Sequence, residues 1–286
     1  MRDYLKQHLY SFLTILIWGT VYVIPKLVAP DAADVGSLRC IIAALLMIPI
    51  AVRTRPRIPA SVSEWALVFC AGGIGQGLYM YVLNTAVVNT QAATASLLLA
   101  MSPIATAILA RIVLGERIRP LGWAAIGIGF LGVAVVLLKD GGLDLSAGVI
   151  WAFGAMMLFG FYNLITKMLT TRGYRSMEIT IWALLFGALV SLLLNPSCIP
   201  TFLHTDLPSK LGCLFLGLMA SGVAYILWNR AIELAVKVSE VTNYMFLVPI
   251  SGAGMAWAIL HETPGPNVFL GGALVISGLI LFNRQK

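Results

Sequence analysis

The segment ILIWGTVYVIPK, residues 15–26, places two aromatic side chains with polar tips in an otherwise apolar helix. Trp18 and Tyr22 lie four residues apart, so both side chains project from one helix face. Gly19 beside them leaves room for a bound molecule, while the indole and phenol rings offer stacking surface and a hydroxyl. The segment holds no acidic or histidine side chain. This pattern predicts non-covalent binding of a small molecule rather than catalysis.

Polar and aromatic side chains recur at helical spacing in several other apolar stretches. Gln76 and Tyr79 share a stripe in GGIGQGLYMY, and Asn163 follows Phe159 by four residues. A polar group within lipid is costly unless it pairs or faces a water-filled cavity, so each should face the protein interior. The candidate substrate-binding residues are Trp18, Tyr22, Gln76, Tyr79, Ser96, Phe159, Asn163, Ser221, Tyr225, Thr242 and Phe246.

The same side chains have structural roles that compete with binding. Ser and Thr in membrane helices often bond to the backbone of their own helix, and Tyr or Trp near span ends commonly anchors the protein at the lipid headgroups. Lys26 and Lys167 are expected to extend to the headgroups, and the alternative is that they form charged rims that guide a carboxylate. Arg39 is expected either to extend to the headgroups or to pair with Asp31 or Asp34.

The composition indicates that lipid is the solvent for most of the chain. Of 286 residues, 59% are hydrophobic and 11% are charged, and the mean hydropathy is +0.91. A soluble domain carries about 25% charged residues. A helix needs roughly 20 apolar residues to cross the hydrocarbon layer. Ten such spans are predicted, at 9–29, 34–52, 63–83, 91–113, 120–138, 146–169, 177–194, 209–232, 238–260 and 265–283.

The basic residues predict the orientation. With the N-terminus in the cytoplasm, fifteen of the nineteen Lys and Arg residues fall inside, three fall outside and Arg39 lies in the membrane. This asymmetry is the positive-inside pattern, and it predicts a multi-pass protein of the cell (inner) membrane with both termini cytoplasmic. The net charge of +7 is scattered among apolar runs, so nucleic acid is not an expected partner.

The residues of catalytic and metal sites are missing from the predicted membrane interior. The four cysteines show no metal-ligand spacing, and the twelve acids and three histidines lie in loops or near span ends. No phosphate-binding Walker motif is present. The sequence therefore predicts a protein that is not an enzyme and needs no cofactor or metal. The lack of a mid-membrane acid disfavours proton coupling, and an uncoupled facilitator or exchanger fits better.

The two halves of the chain resemble each other. The stretch that starts at Tyr81 aligns with the stretch that starts at Ile226 with one inserted residue, and the opening segment aligns with a segment of the second half at constant offset. The matching pairs are Asn84 with Asn229, Pro103 with Pro249, Glu116 with Glu262, Gln76 with Ser221, Trp18 with Phe159 and Lys26 with Lys167.

This repeat predicts an all-α membrane protein with ten transmembrane helices in two five-helix units, 1–143 and 144–286. Because five is odd, the second unit is inverted, and inverted repeats are typical of alternating-access transporters with a site between the repeats. Pro103 and Pro249 lie within two equivalent spans and are predicted to bend them, either as hinges or as static kinks.

Three motifs carry a resemblance to a known family: WGTVYVIPK, SPIATAILARIVLGERI and VPISGAGMAWAILHE. With them the chain resembles EamA-type members of the drug/metabolite transporter superfamily over essentially its whole length. The resemblance implies a central cavity lined by spans 1, 3, 4, 6, 8 and 9 and braced by spans 5 and 10. It also implies transport of amino acids, other metabolites, nucleotide sugars or drugs, with export as the default direction.

The predicted function is export of small metabolites, with aromatic or large apolar amino acids as the first choice. The alternative is efflux of drugs or other lipophilic compounds, although the first span lacks the carboxylate that small multidrug exporters of the superfamily carry. A membrane enzyme or scaffold would need a catalytic cluster or a binding tail, and neither is visible. The expected partners are a small-molecule substrate and the lipid bilayer. A monomer would suffice, and the sequence leaves the oligomeric state open.

Overall fold

A computed structural model describes residues 2–115, 117–139, 142–143, 146–234, 241 and 243–284. This part of the chain is helical apart from a short antiparallel pair, β1 (Leu138–Lys139) and β2 (Gly142–Leu143), in which Leu138 lies opposite Leu143. The α-helices are α1 (Arg2–Gly19), α2 (Ala32–Thr54), α3 (Val62–Phe69), α4 (Tyr79–Asn89), α5 (Ala92–Ala100), α6 (Ser102–Leu114), α7 (Pro120–Val136), α8 (Ala147–Thr171), α9 (Ser176–Leu194), α10 (Cys198–His204), α11 (Leu207–Phe215), α12 (Ala224–Leu234), α13 (Val248–Leu260) and α14 (Pro266–Arg284).

Within the described residues the predicted membrane spans fall on helical segments, and the start of the predicted span 238–260 lies outside those residues. In this described part of the chain, seven segments are long and apolar enough to cross a bilayer, namely Tyr4–Lys26, Ala32–Thr54, Val62–Asn89, Ala92–Leu114, Ala147–Thr171, Ser176–Leu194 and Leu207–Trp228. Three further apolar helices are shorter, namely Pro120–Val136, Val248–Leu260 and Pro266–Phe282. The all-helical, membrane-spanning class is therefore confirmed, whereas a count of ten crossings depends on these three shorter helices.

Two helical segments widen into π-helical turns that the sequence pattern predicts as ordinary α-helix. Residues Cys70–Leu78 connect α3 to α4, and Leu216–Val223 connect α11 to α12. In the first of these, Gly72 and Gly77 contact α9 so closely that an added Cβ would lie 2.8 Å and 2.7 Å from backbone oxygens. π-Turns interrupt regular helical bonding and are frequent at functional sites.

The two prolines predicted to bend helices instead begin them. A break at Met101 separates α5 from α6, and Pro103 lies in the first turn of α6. Pro249 lies in the first turn of α13, after the 3₁₀ turn Asn243–Leu247. Since the first helical turn leaves its N–H groups unbonded in any case, proline removes no hydrogen bond there. The bend that the sequence predicts is thus a junction between two helices.

The first span is interrupted in a similar way. Helix α1 ends at Gly19, and the 3₁₀ turns Thr20–Tyr22 and Ile24–Lys26 continue the chain. Helix α1 packs against α12 and α13, and α2 packs against α4 and α9. These contacts bring the end of α1 and the middle of α2 to the centre of the bundle.

Helices α7 and α14 pack against each other along most of their length. Glycines allow this close approach: an added Cβ on Gly132 would lie 2.6 Å from the Val275 nitrogen, and one on Gly278 would lie 2.8 Å from the Gly129 nitrogen. Small residues let membrane helices approach backbone to backbone. Neither helix contributes to the central cavity described below, which agrees with the bracing role expected for spans 5 and 10.

Candidate functional site

A cavity lies at the centre of the bundle. Both halves of the chain contribute to its wall, through α1 and the turn after it, α2, α4 and α5 from the first half, and α8, α12, the turn Asn243–Leu247 and α13 from the second. The lining residues are Trp18, Val21, Tyr22, Arg39, Tyr79, Leu83, Leu99, Phe159, Tyr225, Met245 and Val248.

Five of the eleven side chains predicted from the sequence line this cavity together. Tyr79 and Phe159 stack with their ring centroids 5.1 Å apart and their planes at 29°. The ring centroids of Trp18 and Tyr225 lie 5.6 Å apart. The indole Nε1 of Trp18 donates a hydrogen bond of 3.1 Å to the Ala220 carbonyl oxygen. Tyr22 is also buried. Five of the eleven lining residues are therefore aromatic, and contacts between rings orient four of them.

Three further predicted residues, Gln76, Ser96 and Asn163, are described but do not line the cavity. Gln76 is buried and donates from Nε2 to the Tyr225 hydroxyl at 3.3 Å. Ser96 donates to the Ala93 carbonyl of its own helix, the structural role named as the competing one. Asn163 donates to the Thr106 hydroxyl at 3.5 Å.

Two predicted residues of the second half fall outside the described side chains. Thr242 lies outside the described residues. Phe246 lies in the turn Asn243–Leu247, but its side chain is not among those described.

Arg39 is the residue that sequence reasoning misplaced. Its side chain lines the cavity and is only 3% exposed. Its Nε donates to the Ser221 hydroxyl at 3.3 Å, and its Nη1 donates to Asn84 Oδ1 at 3.4 Å. Asp34, one of its expected partners, instead accepts a hydrogen bond of 2.7 Å from Asn195. The sequence does indicate that Arg39 is unusual, because it is the one Lys or Arg residue that the predicted topology places within the membrane.

An ion pair lies at the end of the first span, beyond the cavity-lining residues Val21 and Tyr22. The Lys26 ammonium bonds to Glu262 Oε1 and also donates to the Thr90 carbonyl at 2.7 Å. The second oxygen of Glu262 accepts a 3.0 Å hydrogen bond from the Ala92 N–H at the start of α5. Lys26 therefore does not extend to the headgroups as expected. It ties the end of the first span to the end of α13.

Gly19 also differs from its expected role. A Cβ at this position would lie 2.8 Å from the Ser251 Oγ and 3.1 Å from the Met255 Sδ. The missing side chain therefore lets α1 approach α13 and does not enlarge the cavity.

At the other end of α1, His8 Nδ1 and the Tyr244 hydroxyl are hydrogen bonded at 2.8 Å.

Metal chemistry finds no support in the described residues. No group of three or more His, Cys, Asp or Glu side chains within them is placed to hold an ion. The cavity offers aromatic surface, phenol hydroxyls and one guanidinium. Such a set can bind a solute and hold it in a defined orientation.

Comparison with known proteins gives a consistent set of similarities. The model of the EamA-like transporter family matches residues 5–138 and again residues 146–284. A probable terminal-alkyne amino-acid exporter of Streptantibioticus cattleyicolor is 30% identical over 237 residues, covering 83% of this chain and 77% of the relative. A probable amino-acid metabolite efflux pump of Escherichia coli is 25% identical, covering 96% and 94%.

A further relative and one solved structure extend the similarity over the whole length. The uncharacterised transporter YwfM of Bacillus subtilis is 27% identical, covering 98% of this chain and 95% of the relative. A crystal structure superposes with a TM-score of 0.64 at 17% identity, covering 98% of this chain and 96% of the other. That last likeness shows the fold alone.

Proposed function

The chain belongs to the EamA-like transporter family, and from this premise we propose that it exports amino acids with aromatic or large apolar side chains by alternating access through the central cavity. Its relatives are named as transporters and efflux pumps, not as enzymes. Two of them are named for amino acids or their metabolites, which supports this solute class.

The observation that carries the proposal is the aromatic cavity between the two halves of the chain. Its wall combines the stacked pair Tyr79 and Phe159 with Trp18, Tyr22 and Tyr225. Ligand pockets are mostly apolar and hold few oriented polar groups. A cavity of this kind suits a small solute with an aromatic or branched apolar body.

We further propose that the chain forms two inverted five-helix repeats, 1–143 and 144–286. The double match of the family model supports this division. Helices α6 and α13 support it too: both have 13 residues and a proline in the first turn, and both end in a left-handed residue, Gly115 and His261 respectively. The two π-helical segments surround Gln76 and Ser221, which the sequence repeat also pairs.

The proposed location is the inner membrane, with ten spans and both termini in the cytoplasm. The inside excess of Lys and Arg supports this orientation. In that orientation the Lys26–Glu262 pair closes the outer end of the cavity. The structure would then represent a conformation in which the cavity is closed to the outside.

Efflux of lipophilic drugs is the second candidate, because aromatic walls also suit flat hydrophobic compounds. Arg39 argues against the cationic members of that class. A fixed positive charge in a buried cavity repels a cation, and the described residues hold no carboxylate within ion-pair distance of it to offset the repulsion.

Transport by purified protein in proteoliposomes tests the proposal. Radiolabelled phenylalanine should enter these vesicles faster than protein-free vesicles, without an imposed pH gradient. Leu99→Trp, which fills the cavity wall, should abolish this uptake, whereas Leu131→Trp on a 64% exposed face should not. Equal uptake by both variants would remove the cavity from the pathway. Strict dependence on a proton gradient would contradict the uncoupled mechanism.

A further inference from the structure

Arg39 is a buried charge without a counter-ion in the described residues. Arg57 and Arg175 pair with Glu64 and Glu178, and Lys26 pairs with Glu262, but no carboxylate lies within ion-pair distance of Arg39 in this part of the chain. A buried charge is costly unless it is paired and hydrogen bonded. The fold places it there all the same, in the third turn of α2 and at the wall of the cavity.

The hydrogen bonds of Arg39 are incomplete. A guanidinium has five N–H donors in a planar fork. The described residues accept from two of its nitrogens only, at 3.3 Å to Ser221 and 3.4 Å to Asn84, both at the long end of the normal range. Both acceptors are neutral, and together they hold the fork in place. In the described part of the chain, Nη2 and the second N–H of Nη1 have no acceptor, so two neighbouring nitrogens can donate to a molecule in the cavity.

The surroundings of Arg39 match one kind of ligand. The guanidinium shares the cavity wall with the aromatic rings of Tyr22, Tyr79 and Tyr225. A planar fork suits the two oxygens of a carboxylate, which it binds in bidentate fashion. The rings suit an aromatic or branched apolar body on the same molecule.

We propose that Arg39 is the carboxylate receptor of the cavity, so that the transported class is organic carboxylates with an aromatic or large apolar body. This inference rests on the proposed function and narrows it. An ammonium group on the same solute meets hydroxyls and aromatic rings in the described wall, and no acidic side chain among the described residues lines it to form an ion pair. The carboxylate is therefore required for binding, and the α-amino group is dispensable.

Competition binding to the full-length protein in detergent tests this directly. The probes are radiolabelled phenylalanine and three competitors: unlabelled phenylalanine, 3-phenylpropionate, which lacks the amino group, and phenethylamine, which lacks the carboxylate. We expect 3-phenylpropionate to compete within about threefold of phenylalanine, and phenethylamine to be weaker by about tenfold or more, the effect of one charge-assisted hydrogen-bonded pair. Equal competition by phenethylamine would overturn the inference.

Substitutions of Arg39 add a second readout. Arg39→Gln should weaken binding of 3-phenylpropionate by about tenfold or more, and Arg39→Lys, which keeps the charge but loses the fork, should weaken it less. The control is Arg111→Gln, because Arg111 lies outside the cavity and contacts the ring of Trp123 at 5.8 Å. Unchanged affinity in Arg39→Gln would overturn the inference. The competitor series on wild-type protein tests the carboxylate requirement even if Arg39→Gln does not fold.

Failure of the proposed function would look different from failure of this inference. If 3-phenylpropionate binds in an Arg39-dependent way but neither it nor phenylalanine crosses proteoliposomes, the carboxylate site stands and the transport proposal fails. If phenylalanine is transported equally well by wild type and Arg39→Gln, the transport proposal stands and Arg39 is not its receptor.

Discussion

Lys26 and Glu262, 236 positions apart in the chain, form an ion pair at one end of the central cavity. The side chains are 15% and 24% exposed, so water screens the pair only in part. Thr90 and Ala92 bond to the same two side chains, which joins the first span, the start of α5 and the end of α13. We expect a solute to pass this end of the bundle only when these contacts separate.

Removing the pair should open this end of the cavity more often. Lys26→Met and Glu262→Gln each delete one partner, and a partly exposed pair contributes about 1 kcal/mol, or about a fivefold change in population. The readout is the rate at which a water-soluble thiol reagent labels a cysteine placed at Leu83, a buried lining residue. We expect that rate to rise about fivefold, in a background in which Cys70 is replaced.

The matched control for this prediction is Lys210→Met. Lys210 is exposed and donates to the Leu203 carbonyl, away from the cavity. The charge reversal Lys26→Glu with Glu262→Lys should return the labelling rate toward that of the wild type. Labelling rates that do not differ between Lys26→Met and wild type would mean that the pair does not close the cavity.

The ring of Phe159 should contribute directly to solute affinity. It stacks on Tyr79 in the cavity wall, and Phe159→Ala would remove both the stacking surface and the support for that ring. Aromatic contacts of this kind contribute about 0.5–1.5 kcal/mol beyond burial, so we expect affinity for phenylalanine to fall about tenfold. Phe130→Ala disrupts a similar stacked pair with Phe153, at 6.4 Å, outside the cavity. Equal affinity losses in the two variants would point to a general effect on folding.

The contact between α7 and α14 should be sensitive to a single methyl group. An added Cβ on Gly132 would lie 2.6 Å from the Val275 nitrogen, whereas one on Gly127 in the same helix meets nothing within 4 Å. Overpacking costs about 1–3 kcal/mol, so Gly132→Ala should lower the thermal unfolding temperature by several degrees. Gly127→Ala should leave it unchanged or raise it slightly, because Ala favours helix. A Gly132→Ala protein as stable as Gly127→Ala would contradict the close packing.

The hydroxyl of Tyr174 predicts a dependence of stability on alkaline pH. Burial, together with the hydrogen bond that the hydroxyl donates to Glu64 at 2.9 Å, raises the pKa of Tyr174 to about 12. A folded-state pKa above the unfolded value of about 10 gives stability that is fully present below pH 10 and lost toward pH 12.

Thermal unfolding of wild type and Tyr174→Phe from pH 7 to 11 measures this effect. The wild type should be the more stable at pH 7 to 9. The difference should shrink above pH 10, because there the Tyr174 hydroxyl ionises in the unfolded wild type, whereas Phe has no hydroxyl to ionise. A difference that stays constant up to pH 11 would show that the Tyr174 hydroxyl does not titrate in this way.

The sequence predicts the helices and the aromatic wall well, for physical reasons. Apolar runs long enough to cross a bilayer must form helices in lipid. The spacing of Trp18 and Tyr22 predicts one shared helix face, and both residues line the cavity although α1 ends between them. Arg39 shows the limit of that approach. It lies eight positions from Asp31 in sequence, which favoured a surface pair, and only the packing of α2 at the centre of the bundle places it in the cavity.

Other features could not be predicted from the sequence because they depend on contacts between residues far apart in the chain. The Lys26–Glu262 pair depends on how the first and ninth spans meet, and no local pattern carries that information. The π-helical turns depend on close contact between a glycine-rich segment and a neighbouring helix. The role of Gly19 also depends on such a contact, because the missing side chain lets α13 approach α1 and does not provide space for a solute.

Counterflow in proteoliposomes tests the central claim, alternating access of one solute site to both sides of the membrane, most directly. Vesicles loaded with unlabelled phenylalanine should take up radiolabelled phenylalanine faster than empty vesicles, with a transient overshoot, because a loaded carrier returns its site in exchange. Uptake that is indifferent to the internal phenylalanine, or that rises linearly without saturation, would contradict a carrier and indicate an open pore or no specific site.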